Sequence, residues 1–453
     1  MEWVFNKLIP QYILRRLKKN LDLQKAIVNT GWLFFDRIFR MGVGFFVGTW
    51  IARYLGPEQY GMLSYTQAFV ALFASLATLG LDSIVIREIV KIPDKKNEIL
   101  GSAFFLKLVG GLVTLIIINV TILYIRPENK VVFWMLFISS CSYIFQSFDT
   151  IDFWFQSQLQ SKYTVYAKNF SFIIVSILKI VLIIINASVI WFAATFLIEA
   201  FLGAIGLIIV YRLCKLKIFR WTVDFNIVKL LLNESWPLIL SGIVVMIYMR
   251  IDQIMLGQIL GDEEVGIYTA ALRLSEIWYF IPATIVASVA PIITKTKVNN
   301  NAAYFNQIQK LFNILSLIAF PIAITMTFLS SPLVTMLYGK GYLESGEVLS
   351  IHIWTAIFVF LGVGRNPWLL NEGLTRFSFA TNSMGALVNI LLNIVSIPRF
   401  GAVGAAVATL VSQIIASYLM NLFYRKTRPL FIMQSKAICF YWILLRIKAL
   451  LHK

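Results

Sequence analysis

The feature that most constrains this chain is a series of apolar blocks, each about 20 residues long, the length that crosses a bilayer as an α-helix. A helix satisfies its own backbone hydrogen bonds, as the interior of a membrane requires. We therefore predict an all-α integral membrane protein with about twelve transmembrane helices. The predicted spans are residues 31–52, 62–84, 100–124, 131–151, 164–185, 189–211, 236–257, 267–292, 309–330, 346–370, 377–397 and 401–424.

The net charge of +18 has two readings, nucleic-acid binding and membrane topology. If the N-terminus is cytoplasmic, the inner segments hold about 28 of the 40 Lys and Arg, the outer loops about five and the spans about seven. This asymmetry is typical of the positive-inside rule and predicts that both termini are cytoplasmic. We expect a multi-pass protein of a bacterial or archaeal plasma membrane, whose basic loops attract anionic lipid, and no nucleic-acid partner.

The predicted spans fall into two bundles of six helices. The expected segments are a basic amphipathic N-terminus (1–30), a first bundle (31–211), a cytoplasmic linker (212–235), a second bundle (236–424) and a basic tail (425–453). An apolar stretch in the tail, residues 437–445, is short for a span. It is predicted to lie in the membrane interface, with a thirteenth span as the alternative.

An internal repeat supports this division. The pattern L-G-x-E-x-x-G follows the first span at Leu55–Gly61 and the seventh span at Leu260–Gly266. Its glycines indicate a tight outer turn between antiparallel helices, although a coincidental turn motif would look similar. Two repeats of six spans run in the same direction. The halves are then expected to be related by a pseudo-two-fold axis along the membrane normal.

The composition of the loops argues against catalysis. The three cysteines and two histidines are scattered, without the spacing of a disulfide framework or a metal site. No Walker A loop is present, and the short loops carry no nucleophile or acid/base pair. We expect no enzyme activity, no catalytic residue, no metal and no cofactor.

Ionisable residues at membrane depth are costly and usually functional. The basic candidates chosen within the predicted spans are Arg37, Arg40, Lys107, Lys179, Arg250, Arg273 and Arg365. The acidic ones are Asp36, Glu199, Asp252 and Glu276, with Asp82, Asp149 and Asp152 near span ends. Each central charge costs roughly 2.5–3.5 kcal/mol on insertion scales, so each must reach the interface, pair or face water.

Depth and helical spacing sort these charges. Reaching the interface is a fair alternative for the four cations near span ends, which are Lys107, Arg365, Lys179 and Arg273. Asp36 with Arg40, and Arg273 with Glu276, have the spacing of neighbours on one helix face and could neutralise each other.

Arg37 and Arg250 have no acid at such spacing. They are therefore the best candidates for cations that face a water-filled cavity. A cavity with net positive charge would bind an anion, and arginine binds phosphate in a bidentate mode. Glu199 is a central carboxylate that could pair with a cation or titrate.

Several motifs resemble those of the Wzx-type O-antigen and polysaccharide flippases, a branch of the multidrug/oligosaccharidyl-lipid/polysaccharide exporter superfamily. In the first half they are Asn29–Trp32, Ala52–Gly61, Leu79–Asp82 and Arg87–Glu88. In the second half they are Arg250–Gln253, Leu260–Gly261, Gly266–Tyr268, Ala271–Leu274 and Phe400–Ala406.

The resemblance implies a V-shaped, MATE-like architecture with alternating access between two six-helix bundles. It implies an undecaprenyl-diphosphate-linked oligosaccharide as substrate, flipped from the cytoplasmic to the outer leaflet. It also implies a cationic central cavity, in which Arg37, Arg40 and Arg250 would lie. Asp36, Glu199, Asp252 and Glu276 are candidates for ion coupling or charge pairing. A polysaccharide polymerase and a chain-length regulator are candidate partners.

Three alternatives remain at this stage. A lipid II or teichoic-acid precursor flippase would have the same architecture. A drug/cation antiporter of the same superfamily would favour unpaired carboxylates in the first half, where buried cations are instead more frequent. A membrane-embedded glycosyltransferase or polymerase usually carries a large outer loop, whereas the longest outer loop predicted here is residues 331–345.

Overall fold

The computed structural model describes residues 21–440, and its side-chain surroundings are defined from residue 29 onward. Every regular element in that part of the chain is helical, which confirms the predicted all-α class. Most of the predicted N-terminal segment and the end of the basic tail, including most of the stretch 437–445, lie outside the described residues.

The helices up to the linker are α1 (Leu21–Leu72), α2 (Ala74–Thr78), α3 (Asp82–Lys91), α4 (Lys96–Ile125), α5 (Lys130–Ser140), α6 (Ser142–Phe145), α7 (Thr150–Ser157), α8 (Lys162–Ile184) and α9 (Val189–Leu213). After the linker follow α10 (Phe225–Ile259), α11 (Asp262–Glu276), α12 (Phe280–Asn299), α13 (Asn301–Tyr338), α14 (Ser345–His352), α15 (Thr355–Gly364), α16 (Asn366–Asn371), α17 (Thr375–Ile414), α18 (Met420–Phe423) and α19 (Arg428–Ile438). A π-helical turn, Ile415–Leu419, joins α17 to α18.

The number of membrane crossings follows from length, composition and two glycine breaks. Within the described residues, nine helices or helical runs are long and apolar enough to span, and the bent pair Asn29–Leu72 with Ala74–Lys91 makes a tenth. Two of these ten contain a glycine with non-helical backbone, Gly56 in α1 and Gly401 in α17. Gly56 lies in the predicted loop 53–61, and Gly401 directly follows the predicted loop 398–400, so the ten helical runs contain the twelve predicted segments.

Contacts divide the chain into two compact units. The first contains the residues up to Gly48 together with Phe73–Leu240, and the second contains Thr49–Leu72 together with the residues from Ser241 onward. The boundary near residue 240 lies close to the predicted linker. Residues 49–72, which the sequence argument placed in the first bundle, group with the second unit.

The predicted linker is ordered against the first unit. The Thr222 amide donates to the Asn97 carbonyl at 3.3 Å, and Ser102 Oγ donates to the Asp224 carbonyl at 3.2 Å. A methyl group on Gly101 would overlap the Thr222 backbone, so this close approach requires glycine. The linker residues therefore pack against the first unit, and their cytoplasmic location stays a prediction.

Candidate functional site

The first unit contains a cavity of about 430 Å³, a volume within the range of small-molecule binding sites. Four of its lining residues are charged, and they come from three different helices and a 3₁₀ turn: Arg40 (α1), Asp149 (3₁₀ turn), Lys168 (α8) and Glu199 (α9). The remaining lining residues are Ser142, Phe145, Gln146, Ser171, Phe196, Ala200, Gly203, Ala204 and Leu207. Small residues on α9 leave this space open.

An ion pair joins α1 to α9 across the cavity wall. Arg40 Nη2 donates to Glu199 Oε1 at 2.6 Å, Nη1 donates to the Lys168 carbonyl at 3.3 Å, and the guanidinium lies 4.6 Å from the centre of the Phe172 ring. Helical spacing had left open a pair between Arg40 and Asp36, four residues earlier on the same helix. The ion pair of Arg40 is instead with Glu199, 159 residues away in sequence.

A second charged group in the cavity was not among the predicted site residues. Lys168 Nζ lies 3.0 Å from Asp149 Oδ1 and 2.8 Å from Asp152 Oδ2, so one ammonium bridges two carboxylates. A signal for this residue was present, because Lys168 lies inside the predicted span 164–185 and two acids lie near the end of the preceding span. Helical spacing alone could not connect them, since they lie on different helices.

The charges of this cavity balance. Arg40 and Lys168 are its cationic lining residues, and Asp149 and Glu199 are its anionic ones. Each cation is within 3.0 Å of an acid, so neither guanidinium nor ammonium is free for a ligand without exchange of partners. This cavity of the first unit therefore lacks the net positive charge that the sequence argument expected of a binding cavity.

Arg37 differs from its neighbour Arg40. Its side chain is exposed, and within residues 29–440 no hydrogen bond or ion pair holds it. The two arginines are three positions apart on α1, so their side chains project about 60° apart around the helix. Arg37 thus presents an unpaired cation beside the face of α1 that carries the cavity's Arg40. Arg37 is not among the residues that line this cavity, so its predicted role as a cation facing a water-filled cavity stays a prediction.

The two predicted lysines of the first unit lie against aromatic rings. Lys107 is buried, with its Nζ 4.7 Å from the centre of the Phe153 ring. Lys179 is half-buried, with its Nζ 5.1 Å from the Phe196 ring, which lines the cavity. The structure therefore places Lys179 beside the cavity, and it places Lys107 in the core instead of at an interface.

Three predicted charges of the second unit lie near one another. Arg250 Nη1 lies 4.0 Å from Glu276 Oε2, and both side chains are about one-quarter to one-third exposed. Arg273 lies over the Tyr60 ring, 5.5 Å from its centre. Helical spacing had offered Arg273 as a possible partner of Glu276 and had shown no acid for Arg250 on its own helix. The ion pair is instead between Arg250 and Glu276, at a distance that leaves the Arg250 guanidinium weakly held.

Asp252 is a buried acceptor in the second unit. Its Oδ2 accepts from Tyr268 Oη at 2.8 Å and from Thr409 Oγ1 at 2.5 Å, and its Oδ1 accepts from Asn393 Nδ2 at 2.5 Å. The side chain is only 4% exposed. The carboxylate therefore links helices α10, α11 and α17 through neutral donors, and no cation is among its hydrogen-bond partners in the described chain.

Arg365 is also buried, and it is held by neutral acceptors. Its Nη1 donates to the Ala416 carbonyl at 2.8 Å and to Asn421 Oδ1 at 3.3 Å, and its Nη2 donates to Thr381 Oγ1 at 2.9 Å. Ala416 lies in the π-helical turn, whose irregular carbonyls are thereby satisfied. The alternative that Arg365 reaches the interface does not fit its 3% exposure, and its hydrogen bonds link α15, α17 and α18.

A metal centre has no candidate ligand set in the described part of the chain. No group of three or more His, Cys, Asp or Glu side chains there is arranged to hold a metal ion.

Comparison with protein families gives two matches. The family described as "Polysaccharide biosynthesis protein" matches residues 26–297, and the MatE family matches residues 237–395. The first match covers more than half of the chain and includes both copies of the repeated glycine pattern.

Curated relatives span most of the chain. A putative O-antigen transporter of Escherichia coli (strain K12) is 24% identical over 394 residues, covering 84% of this chain and 92% of that protein. A probable low-salt glycan biosynthesis flippase of Haloferax volcanii is 24% identical over 407 residues, covering 86% of this chain and 81% of that protein.

Solved structures show the fold. The lipid II flippase MurJ in an inward closed conformation superposes with a TM-score of 0.67 at 17% identity, covering 93% of each chain. A multidrug resistance MATE family transporter in an inward-facing conformation superposes with a TM-score of 0.66 at 15% identity, covering 89% of this chain and 98% of that one. The predicted MATE-like fold is thereby confirmed, and the chain belongs to the polysaccharide biosynthesis protein family of membrane transporters.

Proposed function

We propose that this protein is a flippase for a lipid-linked oligosaccharide. Its cargo would be an undecaprenyl-diphosphate-linked repeat unit of O-antigen or another surface polysaccharide, moved from the cytoplasmic to the outer leaflet by alternating access. The family match and the names of the two full-length relatives support this class of cargo. No bond of the cargo needs to be made or broken in this process, so the protein would act as a carrier and not as an enzyme.

The observation that carries the proposal is the exposed guanidinium of Arg37, which has no ion-pair or hydrogen-bond partner among the described residues. An exposed arginine in an apolar span cannot face lipid without a cost of roughly 2.5–3.5 kcal/mol, so it is expected to face water. A diphosphate is the anionic part of the proposed cargo, and arginine binds it through two parallel hydrogen bonds. In the second unit, Arg250 Nη1 lies 4.0 Å from Glu276 Oε2, and Arg250 would be a separate candidate cation.

The paired cations would have a different part in transport. Arg40 and Lys168 are already matched by acids, so they would hold the cavity open and in shape while Arg37 contacts the diphosphate. Glu199 and Glu276 would then serve charge pairing. Lys107, Arg273 and Arg365 would stabilise helix packing, since aromatic rings or neutral acceptors hold them.

The positive-inside asymmetry supports an inner-membrane location with both termini in the cytoplasm. A polysaccharide polymerase and a chain-length regulator on the outer side would be the partners that consume the flipped repeat unit. Fusion of a reporter that is active only in the cytoplasm to each terminus tests the orientation. Activity from neither fusion, with both proteins expressed, would contradict it.

Deletion of the gene in its host tests the function. We expect surface polysaccharide to disappear while lipid-linked repeat units accumulate on the inner leaflet. Normal surface polysaccharide together with altered resistance to cationic dyes would reject the flippase proposal and favour drug export.

Complementation of that deletion tests Arg37. Arg37→Ala is expected to lower the rate of flipping about tenfold, which corresponds to about 1.4 kcal/mol and lies near the lower end for hydrogen bonds to a charged group. Arg37→Lys keeps the charge and loses the bidentate geometry, so its rate of flipping should lie between those of the wild type and Arg37→Ala. Lys130→Ala removes an exposed cation at the start of α5 and is the matched control. Full activity of Arg37→Ala at normal expression would remove Arg37 from the binding site.

A further inference from the structure

The start of the linker has one face packed on the first unit and one face exposed. Leu216, Ile218 and Trp221 pack against a buried cluster of that unit, which includes Tyr211. Trp221 Nε1 also donates to Tyr211 Oη at 3.2 Å. These inward side chains hold the segment against the unit in a defined conformation. We call residues 212–220 the linker platform.

The backbone of the linker platform explains why its side chains separate onto two faces. The Leu216 amide donates to the Tyr211 carbonyl at 3.2 Å and closes the end of α9. Lys217 is then extended (φ −123°, ψ 116°), and successive side chains of an extended segment project to opposite sides. Leu216 and Ile218 are turned inward, and Lys217 between them is therefore turned outward.

The exposed face of the linker platform combines cations with apolar side chains. Four of the nine residues are basic and none is acidic; the basic ones are Arg212, Lys215, Lys217 and Arg220. All four are exposed, and none has an ion-pair partner among the described residues. Between them, Leu213 is 77% and Phe219 is 88% exposed. This combination is typical of segments at a membrane interface, where apolar side chains enter the headgroup region and cations meet anionic lipid.

The path of the chain and its charge select the partner of this face. The linker platform lies between α9 and α10, both long and apolar enough to span a membrane, so it is held at a membrane surface. The ends of the chain beyond the described residues, 1–20 and 441–453, together hold eight Lys and Arg and one acid. Like charge therefore disfavours their docking here, and it equally disfavours a second copy of the linker platform. Anionic phospholipid complements both the cations and the apolar side chains.

We propose that the linker platform is a docking surface for anionic phospholipid of the inner leaflet, with the Phe219 ring among the headgroups and the four cations on their phosphates. The inner leaflet follows from the predicted orientation. This lipid is a ligand of the first unit whether or not an oligosaccharide is carried, and its binding fixes the depth of α9 in the bilayer. Each cation near the surface should favour anionic over neutral lipid roughly fivefold.

A fluorescent probe on the linker platform tests the proposal. In the full chain with all native cysteines replaced by serine, Phe219→Cys is labelled with an apolar fluorescent maleimide, which takes the place of the ring. The protein is placed in nanodiscs of phosphatidylcholine, or of phosphatidylcholine with about one-third phosphatidylglycerol. Both discs contain the same fraction of a phosphatidylcholine that carries a nitroxide quencher near its headgroup. Quenching should be about threefold or more stronger with phosphatidylglycerol, and raising salt from about 0.05 M to about 0.5 M should remove most of this difference.

Charge variants separate this docking from simple closeness to the bilayer. In the labelled chain, Lys217→Gln/Arg220→Gln should lower the quenching in phosphatidylglycerol discs to near the level of the phosphatidylcholine discs. Both side chains are exposed, so their loss should leave the packing of the linker intact. Lys130→Gln/Lys340→Gln removes two exposed cations from predicted outer loops. It is the matched control and should leave the quenching at residue 219 unchanged.

Each other outcome refutes the docking on anionic lipid. Equal quenching in the two kinds of disc, or quenching that survives the loss of both charges, would mean apolar contact with any bilayer. Absence of quenching in both discs would mean that the linker platform faces the cytoplasm and is open to a soluble partner. Transport is not measured in these experiments, so failure of the proposed flippase function and failure of the lipid docking are distinguished.

Discussion

The ion pair between Arg40 and Glu199 gives a quantitative test of how the first unit is held together. The atoms are 2.6 Å apart, and the two side chains are 32% and 22% exposed. Exposed pairs contribute about 0–1 kcal/mol, and breaking a fully buried pair costs about 3–5 kcal/mol. For this intermediate exposure we expect Arg40→Gln and Glu199→Gln each to lower the free energy of unfolding by about 2 kcal/mol.

The double variant isolates the pair itself. Each single substitution leaves one half-buried charge without its partner, whereas the double substitution leaves two neutral amides that can still hydrogen-bond. The double variant should therefore be more stable than the sum of the single effects predicts, with a coupling energy of about 1–2 kcal/mol. Unfolding in mixed micelles at increasing denaturing detergent, followed by tryptophan fluorescence, measures all four proteins.

A pair on the surface of the same unit serves as the control. Lys95 and Glu98 are 3.9 Å apart with side chains 54% and 38% exposed, and their coupling should stay below about 0.5 kcal/mol. If the Arg40–Glu199 coupling is no larger than that of this control, the pair does not hold α1 to α9 and the reasoning fails.

Three further predictions follow from the buried charges. Arg365→Ala should destabilise the protein by about 3 kcal/mol or more by leaving several buried acceptors unsatisfied, and Arg365→Lys should recover part of this stability. Equal thermal stability of the wild type and Arg365→Ala would contradict a role of Arg365 in helix packing. Lys168→Met should lower both the melting temperature and the rate of flipping, because two carboxylates lose their shared cation. Adding Asp152→Asn to Lys168→Met should partly restore both, and no recovery would argue against the ion pairs of Lys168. Asp252→Leu should destabilise the protein more than Asp252→Asn, since leucine leaves three donors without an acceptor whereas asparagine keeps an amide oxygen. The yield of folded protein that resists detergent measures the order of the two variants, and the reverse order would refute this role of Asp252.

Sequence spacing predicted local features of the site and failed for pairs between helices. The sequence shows that Arg37 has no acid at helical spacing, and the structure gives it no ion-pair partner among the described residues. Helical spacing could not show the acids that lie near Arg40 and Arg250, since Glu199 and Glu276 reach them from other helices. Lys168 was missed for the same reason.

The amino-acid sequence by itself determined the class of fold, the number of apolar segments and the two glycine turns. These properties follow from local physics, because a bilayer accepts only internally hydrogen-bonded helices and because a turn with positive φ requires glycine. The tertiary structure alone decided which charges are neutralised, which are buried and which remain free. Those outcomes depend on the rotation and depth of each helix against its neighbours. Among the residues that the structure describes, the seven predicted cations comprise Arg37 without an ion-pair partner, Arg250 at 4.0 Å from its acid, and a group of cations that contact other helices.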